Sequence, residues 1–289
     1  MTVRKVARVY LPPSYDAGTA RYPVVFYLHG ASGSETDWTT QGRLTATMDS
    51  LVARGVPEMI VVMPDGDDGW WTTWDALNDP ACVRDRARKE PAATYCVPWP
   101  KYDDYVARDL VAHVDSTYRT IADRSHRGIA GLSMGGYGAV SLALGYPDVF
   151  AAAASHSGVL SPLLGIPHDG LPTPVTEAED ADELHARWPA WLWPSLRLAF
   201  GGKDLYGWTA RDPARNLERS LRAGRTPPPL YVDCGAGDPF LEENRAFVAH
   251  ARALGAVVEY HEWPGAHDWA YWRAHAPQSL AWLAEKIAR

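Results

Sequence analysis

Apolar, β-branched runs alternate with helix-like segments from one end of this 289-residue chain to the other. VARVYL, PVVFYLHG, EMIVVMPDG, HRGIAGLS, FAAAASHSG, LYVDCGAGD and VVEYHEWPG read as strands. Several are continuous rather than alternating, as expected where helices cover both faces of a sheet. LTATMDSLVAR, YDDYVARDLVAHVDSTYR, MGGYGAVSLALG, ENRAFVAHARALG and SLAWLAEKIAR carry helical spacing between them. That order predicts an α/β fold, with a mostly parallel central sheet and helices on both faces. Residues 65–100 and 159–195 break the rhythm, and both begin at strand carboxyl ends, where open α/β sheets bind ligands. No repeat or linker divides the chain, which predicts a single domain over 1–289 with two loop insertions.

Hydrophobic residues at 46% and charged residues at 22% suit a globular protein. A net charge of -7 without basic runs argues against a nucleic-acid partner. No apolar stretch is long enough to span a bilayer. The opening MTVRKVARVYLPPSYD moves straight into strand-like sequence, with no signal peptide, although a mature secreted chain reads the same way. Cys82 and Cys96 flank a polar, irregular stretch. A bond between them implies an oxidising, extracytoplasmic compartment, and two free thiols imply the cytoplasm. Cys234 reads as a buried small residue. Nothing in the pattern specifies an oligomeric state.

Chemistry concentrates at Gly131-Leu132-Ser133-Met134-Gly135, a G-x-S-x-G between an apolar strand and a helix of small residues. A sharp strand-to-helix turn there would project the Ser133 hydroxyl above the sheet, and the flanking glycines let such a turn close. The following helix presents its positive end to a developing oxyanion, with the Met134 backbone N–H as one donor.

A serine hydroxyl needs a base, and the base needs an orienting carboxylate, in the chain order Ser, acid, His. Asp238 follows the penultimate strand and His267 the last, so these are the expected acid and base. Asp233 lies within its strand and reads as structural, Asp204 comes too early, and Glu242 and Glu243 fall in the following helix. His261 sits inside the last strand, and His156 one strand too early. The second oxyanion donor is expected from the early loop HGASGS, at the Ala31 backbone N–H, with His29 as a packing residue. Chemistry of this kind needs no cofactor and no metal. Asp65, Asp67 and Asp68 lack EF-hand spacing and read as turn formers.

The 13 Trp and 14 Tyr, against 5 Phe, cluster in residues 70–105 and 188–208. Trp70, Trp71 and Trp74, with tryptophans of 188–193, either line an aromatic substrate cleft or anchor long loops to the body.

Together YLHGASGSETDW, the PDG loop, DRSHRGIAGLSMGGYGAV, CGAGDPFLEENRAF and GAHDWAYW resemble the putative-esterase family. That family groups esterase D and S-formylglutathione hydrolases, tributyrin esterases, feruloyl esterases and the mycolyltransferases called antigen 85. The resemblance implies an α/β-hydrolase fold, a Ser133–Asp238–His267 triad, an oxyanion hole at Ala31 and Met134, and a small-molecule ester substrate, in the manner of a feruloyl esterase. HGASGS departs from the Cys-containing segment usual in S-formylglutathione hydrolases, which speaks against formylglutathione. The alternatives are acyl transfer of the mycolyltransferase type, a non-catalytic binding scaffold and, lowest, a peptidase.

Overall fold

The computed structural model describes residues 4–77, 96–166 and 176–288. Seven strands form one sheet: β1 (Ala7–Tyr10), β2 (Val24–Leu28), β3 (Ile60–Pro64), β4 (Arg127–Leu132), β5 (Ala152–His156), β6 (Leu230–Gly235) and β7 (Val258–Trp263). Each falls within one of the runs read as a strand. The spatial order is β1-β3-β2-β4-β5-β6-β7. Only β1 runs antiparallel to its neighbour; β2 through β7 pair in parallel.

Burial on both faces explains the continuous apolar runs. On β2, Val24, Phe26 and Leu28 join one buried cluster, while Val25 and Tyr27 join the other. The second cluster is closed by α1 (Leu44–Ala53), through Leu44, Met48 and Leu51, and by the carboxyl-terminal helix. Against the opposite face lie α2 (Val111–Thr117) and α3 (Met134–Gly145), followed by α4 (Ala181–Arg187), α5 (Trp193–Phe200), α6 (Tyr206–Arg211), α7 (Pro213–Arg222) and α8 (Leu241–Ala253). The carboxyl-terminal helix, α9 (Trp269–Ile287), places Tyr271, Trp272, Ala276, Leu280, Leu283 and Ile287 against the sheet. Each fully enclosed Leu or Ile of this kind contributes about 1.5–3 kcal/mol relative to exposure.

Three details depart from the sequence pattern. A π-helical turn, Tyr105–Leu110, precedes α2. The helix read at SLAWLAEKIAR extends back to Trp269 as a single helix, α9, that runs through Pro277. Beyond the second insertion, where no helix was read, α5, α6 and α7 pack Leu196, Phe200, Trp208 and Leu217 into the core.

The order in which strands are added reverses between β2 and β4, which are parallel sheet neighbours. Connections leave them in opposite directions, and the crevice this opens at the strand carboxyl ends is where ligands bind in open α/β sheets.

Candidate active site

Backbone crowding dictates the turn at Ser133. A Cβ on Gly131 would stand 2.3 Å from the Gly135 carbonyl oxygen, and one on Gly135 would stand 2.5 Å from those of Leu28 and His29. Ser133 itself takes φ 53°, ψ −120°, an unusual conformation for a residue with a side chain. Its N–H donates to the His156 carbonyl at 2.9 Å, and its carbonyl accepts from Tyr137 at 3.0 Å at the start of α3. The strained turn is therefore tied to both β5 and the helix.

Two further loops meet the serine. After β6, the Asp238 Oδ1 accepts from the Phe240 N–H at 2.9 Å, which aims its second oxygen outward. The loop after β7 lies against it backbone to backbone: Ala236 N–H donates to Trp263 and Gly237 N–H to Gly265, both at 2.8 Å. Gly265 (φ 148°) has room only for hydrogen, since a Cβ would stand 2.5 Å from the Tyr271 ring. Asp268 then caps α9 by accepting from the Tyr271 N–H at 2.9 Å.

These constraints bring Ser133, His267 and Asp238 into one line. His267 Nδ1 lies 2.9 Å from Asp238 Oδ2, and His267 Nε2 lies 3.0 Å from Ser133 Oγ. The Asp238 side chain is fully buried, whereas that of His267 is 24% exposed. A buried carboxylate accepts the Nδ1 proton, so Nε2 is left to accept from the serine hydroxyl. Phe240 and Trp272 hold the imidazole edge-on from two sides, with ring centroids 5.0 and 4.9 Å away.

Ser133 and His267 line a cleft of about 370 Å³. Gly30 and Ala31 form one wall, and a Cβ on Gly30 would lie 3.3 Å from the Ser133 Cβ. The Ala31 backbone therefore passes beside the elbow. Met134 opens α3, where a backbone N–H has no partner within the helix. His29 locks the wall from behind: Nδ1 donates to the Gly30 carbonyl at 2.8 Å, and Nε2 accepts from the Gly66 N–H at 2.9 Å. The aspartates after β3 serve the same region. Asp65 accepts from the Asp67 N–H, Asp67 pairs with Lys5 and the Tyr102 hydroxyl, and Asp68 accepts from the Ser32 N–H at 2.6 Å.

The tryptophans divide. Trp70 lines the cleft, with its indole N–H on Ser195 Oγ at 3.1 Å. Trp71 and Trp74 do not line it. The Trp71 ring is enclosed beneath Gly66 and Gly138 and donates to the His29 carbonyl, while Trp74 packs on Tyr102 and donates to Gly69. Both anchor the loop after β3. Among the tryptophans of 188–193, only Trp191 reaches the cleft; Trp188 and Trp193 pack against Trp208. Sequence reasoning missed Trp269, Trp272 and Phe240, which also form the wall. Their place next to His267 and Asp238 in the chain was the available signal.

Cys96 is disulfide-bonded and Cys234 is free and buried; Cys82 lies outside the described residues. Among the described residues no helix is long and apolar enough to cross a membrane.

Sheet order, elbow and strand-end loops define an α/β-hydrolase fold. Residues 2–283 match the family described as Putative esterase, and the chain belongs to that family. It is 28% identical over 274 residues to Esterase Rv1288 of Mycobacterium tuberculosis (strain H37Rv), covering 90% of this chain and 51% of that protein. It is 22% identical over 273 residues to an acetyl esterase of Caldicellulosiruptor saccharolyticus, covering 93% and 86%. The first of these relatives is about twice as long as the matched region. A solved ferulic acid esterase superposes with a TM-score of 0.68 at 26% identity, covering 98% of this chain and 92% of that one.

Proposed function

We propose that this protein is a serine carboxylesterase in which Ser133 is the nucleophile, His267 the general base and Asp238 the group that orients it. The observation that carries the reading is the continuous contact from Asp238 Oδ2 through His267 to Ser133 Oγ, opening on an apolar cleft.

In the first half-reaction Ser133 Oγ attacks the ester carbonyl carbon as its proton passes to His267 Nε2. Asp238 stabilises the resulting imidazolium. The oxyanion accepts from the backbone N–H groups of Ala31 and Met134, each worth about 2.7–4 kcal/mol in the barrier. The carbon–oxygen bond to the alcohol then breaks, and the alcohol departs with the proton from Nε2. In the second half-reaction water gives that nitrogen a proton, attacks the acyl-enzyme and releases the acid and free Ser133.

Trp70, Val159, Ile166, Leu192 and Phe240 give the cleft an apolar lining, with Trp191 and Trp269 at its aromatic walls. Such a lining suits a flat aromatic acyl group, as in a feruloyl ester. The likeness in sequence and structure to a solved ferulic acid esterase supports the same reading.

The test is hydrolysis of p-nitrophenyl acetate, p-nitrophenyl butyrate and methyl ferulate by wild type and Ser133→Ala, with and without a fluorophosphonate. Turnover is expected, abolished by the probe and lowered roughly 10³-fold or more by the substitution. An active wild type whose products shift to a new ester on adding an alcohol would assign acyl transfer instead. No turnover and no labelling of Ser133 would overturn the enzyme reading in favour of a binding scaffold.

A further inference from the structure

A second Ser–His–Asp constellation lies in the interior, between the sheet and α9. His156 Nδ1 stands 2.6 Å from Asp233 Oδ2, and both side chains are fully buried. His156 Nε2 lies 2.8 Å from Ser279 Oγ and 2.9 Å from the Tyr27 hydroxyl, and those two oxygens are 3.2 Å apart. His156 and Asp233 are register partners on β5 and β6, so the sheet itself sets their approach. Burial, reinforced by nearby Asp233, pushes the Tyr271 and Tyr231 hydroxyls up, and burial pulls His275 down against the same carboxylate.

Enclosure deprives this group of any substrate, so its role lies elsewhere. The approach of His156 Nδ1 to Asp233 lacks the alignment of a hydrogen bond, and a buried carboxylate stripped of its nearest polar partner is costly. The directional contacts of the group are those of His156 Nε2 with Ser279 and Tyr27, and they fix the ring that faces Asp233.

Three chain segments converge on it, and each leads to one member of the active site. The His156 carbonyl accepts the Ser133 N–H at 2.9 Å. Asp233 precedes Asp238 on the same strand and turn, and its carbonyl accepts the Ser157 N–H at 2.7 Å. Ser279 and Tyr271 belong to α9, which begins two residues after His267 and carries Trp272. The Trp272 indole N–H reaches Ser157 Oγ at 3.2 Å while its ring stands edge-on to the His267 imidazole. Hydrophobic contact between sheet and helix is non-directional and tolerates small slides, whereas a directional polar contact does not.

We infer that the buried His156–Asp233 pair, with Ser279 and Tyr27, is a positioning unit that sets the spacing of Ser133, His267 and Asp238. The inference rests on the esterase reading given above. These residues touch no substrate and act only through the backbone segments they join.

The experiment compares Asp233→Asn and Ser279→Ala with Leu280→Ala, an apolar truncation of the next residue of α9, also fully buried. Each variant is assayed for kcat and KM on p-nitrophenyl acetate, for the rate of fluorophosphonate labelling at Ser133, and for Tm. Displacements of an ångström or less in a triad cost roughly ten- to a hundred-fold in rate. Asp233→Asn and Ser279→Ala are therefore expected to lower kcat and the labelling rate by about that factor with KM little changed. Leu280→Ala is expected to lower Tm while the labelled fraction keeps its kcat. Should Asp233→Asn fail to fold, Ser279→Ala and Tyr27→Phe, which remove one hydroxyl each, carry the comparison. Equal kcat in wild type and network variants, or a loss no larger than that of Leu280→Ala, overturns the inference and leaves the esterase reading standing. A wild type that neither turns over nor labels defeats the esterase reading itself.

Discussion

Trp191 leaves 67% of its surface in solvent at the mouth of the cleft, while Trp71 is wholly enclosed beneath His29. The two rings therefore predict different losses. Trp191→Ala is expected to raise KM for methyl ferulate more than for p-nitrophenyl acetate and to leave Tm nearly unchanged, because little packing is removed. Trp71→Ala opens a core cavity and is expected to cost about 3–5 kcal/mol of stability, with activity on both esters falling together. Denaturant melts run beside the two kinetic assays separate these roles, and substrate-selective loss in Trp71→Ala would contradict its anchoring place. At the elbow, Gly131→Ala forces a Cβ to within 2.3 Å of the Gly135 carbonyl oxygen. That variant is expected to lose fluorophosphonate labelling even in whatever fraction folds, and normal labelling would show that the turn relaxes.

At the scale of elements, α8 and the second insertion are joined by Glu243. Its Oε1 accepts the Ser161 N–H at 2.5 Å, and burial, with Asp212 and Asp238 nearby, pushes its carboxyl well above the ordinary range. Burial likewise pushes Asp212, which caps α7, up to about 6. A carboxyl whose pKa is raised on folding stabilises the fold fully below its unfolded pKa, and that contribution is lost as pH rises through the folded value. Glu243→Gln keeps an acceptor for Ser161 and removes the titration. Its Tm relative to wild type is therefore expected to rise as pH climbs above the ordinary glutamate range, and parallel Tm curves would show that Glu243 titrates normally in the fold. The same scale shows where the pattern was hard to read. The strand runs stood out because both faces of the sheet are apolar, and α3 stood out by its small residues. Helices α5 to α7 were missed, although Asp212-Pro213 is an N-cap followed by a first-turn proline, because their apolar positions are shared among short, aromatic-rich pieces. The first turns of α9 lay outside the run read as helical, and packing of Ala276, Leu280 and Leu283 holds the helix together across Pro277.

For the whole molecule, the sheet carries a buried cluster on each face, one closed by α1 and α9 and the other by the remaining helices. Leu283 and Phe247 sit on opposite faces, both fully buried. If residues 4–288 form one cooperative unit, Leu283→Ala and Phe247→Ala each displace the same single calorimetric transition. Each is expected to cost about 2–5 kcal/mol, and their effects should add to within about 0.5 kcal/mol. Two separable transitions, each sensitive to one substitution, would show that the two faces fold independently.

What the sequence determined by itself is local or follows chain order. The strand runs, the glycines around Ser133, and the positions of Asp238 and His267 after the last two strands are all one-dimensional signals, because a parallel sheet delivers successive loops to the same edge. Tertiary structure alone decided which tryptophans face the cleft, since neighbouring aromatic residues in an irregular segment have no period to separate them. It also decided that His156, Asp233 and Ser279, 123 residues apart at the extremes, meet in the interior. Parallel register and the docking of a distant helix create that meeting, and a linear pattern carries neither.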